Sequence, residues 1–197
     1  DAIDGDQGFL DLYSGPEPPH PEDAHDLGET WAITTFGVGV KKYPCCYFTH
    51  TGITAATRLV EEHGIAPEDV ESVHVVASRG AGDALKHEDP ESGLEGKFSM
   101  HYTIASAIAR DRVGLAAFDD ENVDDPAVQR VRERVTFETD PDVSYGAYRT
   151  SVTIETSEGE HSTTLDAPPG THQTPLSDEE LREKFRMCVT QAESEER

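Results

Sequence analysis

Six ionisable side chains stand where chemistry could be done. Lys41 and Lys42 close a run of β-branched and aromatic residues, His50 opens an amphipathic stretch, Lys97 precedes a second one, and His101 and Tyr102 fall inside it. An ammonium can hold a carboxylate and, once partly desolvated, transfer a proton; a phenol can donate one. With Asp+Glu 40 against Lys+Arg 16, a lysine kept among apolar neighbours is a natural partner for a carboxylate ligand. The same residues admit a plainer account. In it Lys41 and Lys42 are solvated charges, Tyr102 is a core residue with a satisfied hydroxyl, and His50, His63 and His101 are helix-terminal or exposed positions. Residue types alone leave both accounts open.

Other chemical signatures fail on spacing. Gly37-Val38-Gly39 lacks the third glycine and the helix N-terminus that a dinucleotide pyrophosphate needs. In Gly96-Lys97-Phe98-Ser99 a phenylalanine separates the lysine from the hydroxyl, so it does not end a phosphate loop. No G-x-S-x-G elbow is present. Cys45, Cys46 and Cys188 make neither a disulfide framework nor, with any nearby C-x-x-C or H-x-x-x-H pair, a zinc site. The expectation is no zinc site, no dinucleotide or phosphate loop, and a reducing compartment.

The elements that must position these groups follow from periodicity. Residues 8–14 have helix-like apolar spacing, and the proline-rich 15–26 reads as a linker. Residues 31–40 (WAITTFGVGV) predict a strand and 49–63 an amphipathic helix carrying Ile53, Ala56, Leu59 and Val60, stopped by Gly64. Alternation over 70–77 predicts a half-buried strand. Residues 79–96 read as a mobile surface loop with one helical turn, and 99–110 as a helix buried on more than one side. A short helix is expected at 125–131, then strands at 135–138, 148–156 and 161–167, the last two joined by a hairpin turn at 156–159. Ser177 and Glu180 form an S-x-x-E capping box for a final helix, 178 to about 191, with Leu181, Phe185 and Cys188 on its apolar face. This order predicts an α+β fold, with a mainly antiparallel sheet and packed helices, rather than a doubly wound one. The expected organisation is a connecting segment at 1–30, an α+β domain at 31–170, and a terminal helix with acidic tail at 171–197.

A formal net charge of −24 over 197 residues excludes phosphate-backbone binding, which draws on clustered lysine and arginine, and disfavours anionic membrane surfaces. No apolar run approaches the ~20 residues of a spanning helix, and no signal peptide is visible after Asp1. Carboxylate excess with few lysines is expected in a protein of a salt-rich cytoplasm, where screening removes self-repulsion.

Residues 41–50, KKYPCCYFTH, resemble the K-x-Y-P-C-C-x-x-T-H segment of the MmgE/PrpD family, whose members include 2-methylcitrate dehydratase, cis-aconitate decarboxylase and iminodisuccinate epimerase. Further matches follow in order. Gly8-Phe9-Leu10 with Leu12-Tyr13 resembles G-F-x-x-L-Y, and Asp26-Leu27-Gly28-Glu29 with Trp31 resembles D-L-G-x-x-W. Gly96 to Tyr102 resembles A-K-F-S-x-x-Y and runs into Asp111-Arg112-Val113-Gly114. Pro175 to Phe185 resembles P-L-S-D-E-E-L-x-x-K-F. One departure is Pro168-Pro169-Gly170, where the family often has P-K-G.

The resemblance implies a lid-type α+β domain, the C-terminal part of a protein more than twice as long, whose terminal helix returns to an all-helical domain absent from this chain. It implies cofactor-free proton chemistry on a small di- or tricarboxylate: dehydration, decarboxylation or epimerisation. Lys41 and Tyr102 match active-site positions; His50 and Lys97 match positions that line the cleft, cap the helix or orient a loop. It further implies that the chain is inactive alone, pairs as a homodimer, and could work with a separate helical-domain chain. The competing expectation is a non-catalytic remnant or dimerisation module of the same fold.

Overall fold

A computed structural model describes residues 8, 9, 12, 28, 29 and 31–195. The chain divides into two units, Asp1–Val38 and Gly39–Arg197. The helix expected over 8–14 and the linker at 15–26 lie largely outside the described residues.

In the first unit the strand expected over 31–40 is instead a short helix, α1 (Ala32–Phe36). Local bonds explain the change. The Trp31 carbonyl accepts from the backbone N–H groups of Thr34 and Thr35 and from the Thr34 hydroxyl at 2.8 Å, so the threonines close a turn on themselves. Gly37, with φ +69°, ends it.

The second unit is a four-stranded sheet with helices on one face. In chain order it contains α2 (Tyr47–His63), β1 (Val70–Ser78), α3 (Arg79–Ala84), α4 (Gly93–Gly96), α5 (Met100–Ala109), a 3₁₀ turn (Leu115–Phe118), α6 (Asp120–Val123), α7 (Pro126–Arg132), β2 (Val135–Asp140), β3 (Thr150–Thr156), β4 (Gly159–Leu165) and α8 (Asp178–Glu195). Strand order is β2-β1-β3-β4. β1 pairs antiparallel with β3 (Val75 opposite Val152) and β3 with β4, whereas β1 and β2 are parallel (Val73 opposite Val135). The sheet is thus mainly antiparallel and the fold α+β. The β1–β2 crossover passes through α5 and α7, as a parallel connection requires.

Period-two burial puts Val73, Val75, Ala77, Val152 and Ile154 under α2 and α5. The opposite face is polar, with Ser151 bonded to Thr164 and Thr153 to Ser162. α2 and α5 approach closely at Gly52, where an added Cβ would lie 3.1 Å from Cδ1 of Ile104. Ten-residue α5 is buried on nearly all sides. α2 ends on Gly64 in the left-handed conformation, its N–H donating to the Val60 carbonyl. The hairpin turn falls between β3 and β4 as the sequence predicts.

Residues 79–96, read from the sequence as a mobile loop, hold two short helices packed into the body. Gly80 donates its N–H to the Tyr145 carbonyl at 3.2 Å, and Gly93 donates to Asp120 Oδ1 at 2.8 Å. Both glycines have no room for a side chain against neighbouring backbone. The capping box of α8 forms as expected: Glu180 N–H donates to Ser177 Oγ at 3.3 Å and Ser177 N–H to Glu180 Oε2 at 2.8 Å. Its stripe is exposed, Phe185 most of all at 69%. Among the described residues no helix is long and apolar enough to cross a membrane.

Candidate active site

The turn before α2 is built around Cys45. Pro44 fixes the backbone, and Cys46 enters α2 in extended conformation without a side-chain cap. Its N–H donates to the Lys97 carbonyl at 2.9 Å, which ties residues 41–46 to the loop ahead of α5. Lys41 folds back so that Nζ donates to the Cys45 carbonyl at 3.1 Å and stands 6.0 Å from the Tyr47 ring centre. Cys45 is buried against Thr49, with Sγ 3.1 Å from Oγ1. Burial pushes its thiol up to about 12 although the charges of Lys41 and Lys97 act the other way. Both lysines therefore bear on one point of the fold.

His50, one turn into α2, is wholly buried. Tyr43 and Tyr47 bracket its ring edge-on, at centroid distances of 5.2 and 4.7 Å. Neither ring nitrogen has a hydrogen-bond partner of good geometry, although the backbone of Cys45 and Tyr43 lies close enough to favour the charged form weakly. Loss of water dominates, with the charges of Lys41 and Lys184 acting in the same direction, and takes the imidazole down to about 4. His50 is neutral at neutral pH. Such a group can accept a proton from a substrate but cannot hold a permanent charge.

Lys42, though adjacent to Lys41, points elsewhere. Its Nζ meets Glu180 Oε1 of the α8 capping box at 2.7 Å. Burial is the largest single influence and works against its charge, but the bond to Glu180 together with the charges of Tyr43, Glu180 and Glu183 outweighs it and the pKa is raised. Glu180 is held near 2 by the same bond and by the Ser177 backbone.

Lys97 and Tyr102 share a neighbour in Phe118, the Lys97 Nζ 6.0 Å and the Tyr102 ring 5.9 Å from its centre. Ser99 caps α5 by accepting from Tyr102 N–H at 3.0 Å, and Gly96 leaves room for the Tyr102 ring, 3.0 Å from where a Cβ would stand. The Tyr102 side chain is wholly buried, and its hydroxyl donates to the Ala117 carbonyl, with Asn122 O at 3.4 Å. Burial raises its pKa. The structure thus gathers Lys41, Lys97 and His50 about Cys45, and turns the Tyr102 hydroxyl toward the 3₁₀ turn. His101 is half-buried against Phe137 rather than exposed, and burial lowers its pKa.

Sequence reasoning missed Tyr47. Its hydroxyl is buried without a partner beside His50, near the Gly39–Gly170 contact. The i, i+3 spacing of Tyr47 and His50 on one helix was the available signal. At Gly170 (φ +90°) the carbonyl accepts from Val40 N–H at 2.8 Å, so the turn lacking the family's lysine pins the irregular segment leading to Lys41.

Comparison with known proteins decides the family. The MmgE/PrpD C-terminal domain signature matches residues 43–197. The chain belongs to the MmgE/PrpD family. Among curated relatives, cis-aconitate decarboxylase of Aspergillus terreus (strain NIH 2624 / FGSC A1156) is 27% identical over 216 residues, covering 96% of this chain and 42% of that protein. Cis-aconitate decarboxylase of Mus musculus is 25% identical over 198 residues, covering 94% and 40%. This MmgE/PrpD domain therefore spans about two fifths of the length of the relatives it matches.

Proposed function

We propose that this MmgE/PrpD domain supplies the lysine-bearing half of a lyase or isomerase that does cofactor-free proton chemistry on a small di- or tricarboxylate. The gathering of Lys41, Lys97 and a neutral His50 around one turn supports the reading most directly. Dehydration, decarboxylation and epimerisation next to a carboxylate share a carbanion or enolate-like species, which a nearby cation stabilises and a neutral base serves. Lys41 binds a substrate carboxylate or protonates the carbanion. His50 lines the cleft as the uncharged base, and Lys97 orients the loop. Tyr102 enters as a proton donor only on releasing the Ala117 carbonyl. That the relatives are cis-aconitate decarboxylases supports a carboxylic-acid substrate. Because the chain covers about two fifths of those proteins, the reading expects no turnover from this chain alone.

The test is turnover of cis-aconitate and 2-methylcitrate by the full-length protein. Lys41→Ala should lower kcat at least ~100-fold with normal folding, within the range general acid–base and electrostatic groups supply. Unchanged turnover in Lys41→Ala, or turnover by the isolated chain, overturns the respective clause. A second reading, a non-catalytic association module that pairs as a homodimer, draws on the exposed stripe of α8, Leu181, Phe185 and Val189. It predicts a normal rate in Lys41→Ala and a dimer that Phe185→Ser disrupts.

A further inference from the structure

Cations are scarce in this chain, 16 against 40 carboxylates, yet five of them lie along one seam beneath α8. Lys42, Lys184 and Arg112 line a hollow of about 70 Å³. Arg112 continues into an adjoining groove of about 490 Å³, where Arg110 and Arg186 join it over a floor of Leu115, Ala116 and Ala117. That volume lies in the range of small-molecule sites, which combine apolar lining with a few convergent polar groups.

The carboxylates along the groove do not close it. Arg186 pairs with Glu179 at 3.0 Å and Arg112 with Glu183 at 3.8 Å, while Asp111 also lines the groove. The two side chains of these pairs are 65% and 60% exposed, and exposed pairs of this kind contribute little. A ligand offering charge-assisted, bidentate bonds to a guanidinium fork replaces them at little cost.

Arg110 differs. Its side chain is 19% exposed and is fixed by Asp125 at 3.2 Å and by the Asn122 carbonyl at 2.8 Å, so its place at the inner end of the groove is set before any ligand arrives. The groove floor is itself held from behind, since the Tyr102 hydroxyl donates to the Ala117 carbonyl.

We propose that the groove between α8 and the 110–117 segment binds a small multivalent oxyanion, a phosphate- or polycarboxylate-bearing molecule, through Arg110, Arg112 and Arg186. This site is distinct from the lysine turn and does not depend on the activity proposed above. Its occupant is recognised by bidentate geometry rather than by net attraction, because the chain as a whole repels anions.

The test is calorimetric titration of the chain with inorganic pyrophosphate and with citrate, each at a fixed ionic strength of about 0.15 M to hold screening constant. The expected result is saturable binding of at least one of them with a Kd of ~1 mM or tighter; which one binds better identifies the source of the oxyanion. Arg112→Gln with Arg186→Gln should weaken it at least ~10-fold, and Arg149→Gln, which alters an exposed cation outside the groove, should leave it unchanged. If the double variant fails to fold, Arg186→Gln alone, on the exposed side of the groove, should weaken binding ~3-fold or more. Binding that survives the groove variants, binding weakened as much by Arg149→Gln, or no saturable heat up to ~10 mM of either anion overturns the proposal.

Discussion

At the turn around Cys45, polar groups are buried and mostly uncharged. His50 has no partner of good geometry for either nitrogen, the Tyr47 hydroxyl has none, and Cys45 keeps its proton. A short distance along the chain, Lys42 leaves that turn for the seam under α8, where charges stay ionised, partly solvated and paired, Lys42 with Glu180 and Arg112 with Glu183. Lys41 itself is exposed, so the dry region is the set of side chains behind it, His50, Cys45 and the Tyr47 hydroxyl, while Lys42 is the more enclosed of the two lysines. Desolvation costs several times more free energy than exposed pairing returns, so the dry turn should dominate the pH response and the wet seam should hardly register in stability.

The sharpest way to break this contrast is acid titration. An unfolded histidine takes up a proton below its ordinary 6.5, but folded His50 does so only near 4. The stability contributed by its neutral form is complete above pH 6.5 and is lost as pH falls to 4, about 3 kcal/mol in all. Urea unfolding at pH 7 and pH 4 should show this loss, and His50→Leu should remove most of it. His101, also lowered by burial, leaves a smaller slope of the same sign. A variant with the wild-type slope would mean that the turn is not dry.

Tyr102→Phe should follow at about 1–2 kcal/mol, because it strands the Ala117 carbonyl in the core. Denaturant midpoints check this. A loss below ~0.3 kcal/mol would place that carbonyl among the solvated groups instead.

The smallest effect belongs to the seam. Lys42→Met should cost under ~1 kcal/mol and become neutral in molar salt, since both partners are about one-third exposed. Glu180 titrates near 2 in the fold against 4.5 when free. The pair's contribution is thus full above pH 4.5 and lost as pH falls toward 2, where wild type and variant should converge in thermal melts.

Periodicity carried much of the fold into view before any coordinates. The apolar face of α2, the alternation of β1, the β3–β4 turn and the capping box of α8 are local patterns, and each forms where the sequence places it. The run at 31–40 misled because β-branched composition signals a strand only when a neighbouring strand is available, and Thr34 and Thr35 bond to Trp31 instead. The helices at 79–84 and 93–96 were illegible because they depend on distant backbone packing against Gly80 and Gly93.

Similar limits apply to the site. Residue type and resemblance single out Lys41, His50 and Lys97, but nothing local tells that Lys42 will bond to a glutamate 138 residues later. The burial of Tyr102 and the orientation of its hydroxyl depend on Ala117, beyond the end of its own helix.

Vicinal cysteines invite thoughts of oxidation, but a thiol held near 12 is ionised in only about one molecule in 10⁵ at neutral pH, and the thiolate is the form that electrophiles and peroxides attack. Cys188, exposed on α8, will react long before Cys45 does. With the half-buried Cys46 replaced by serine, a fluorophore or spin label can therefore be attached at Cys188, where it would sit beside Phe185 and Val189 and report on whatever approaches that helix.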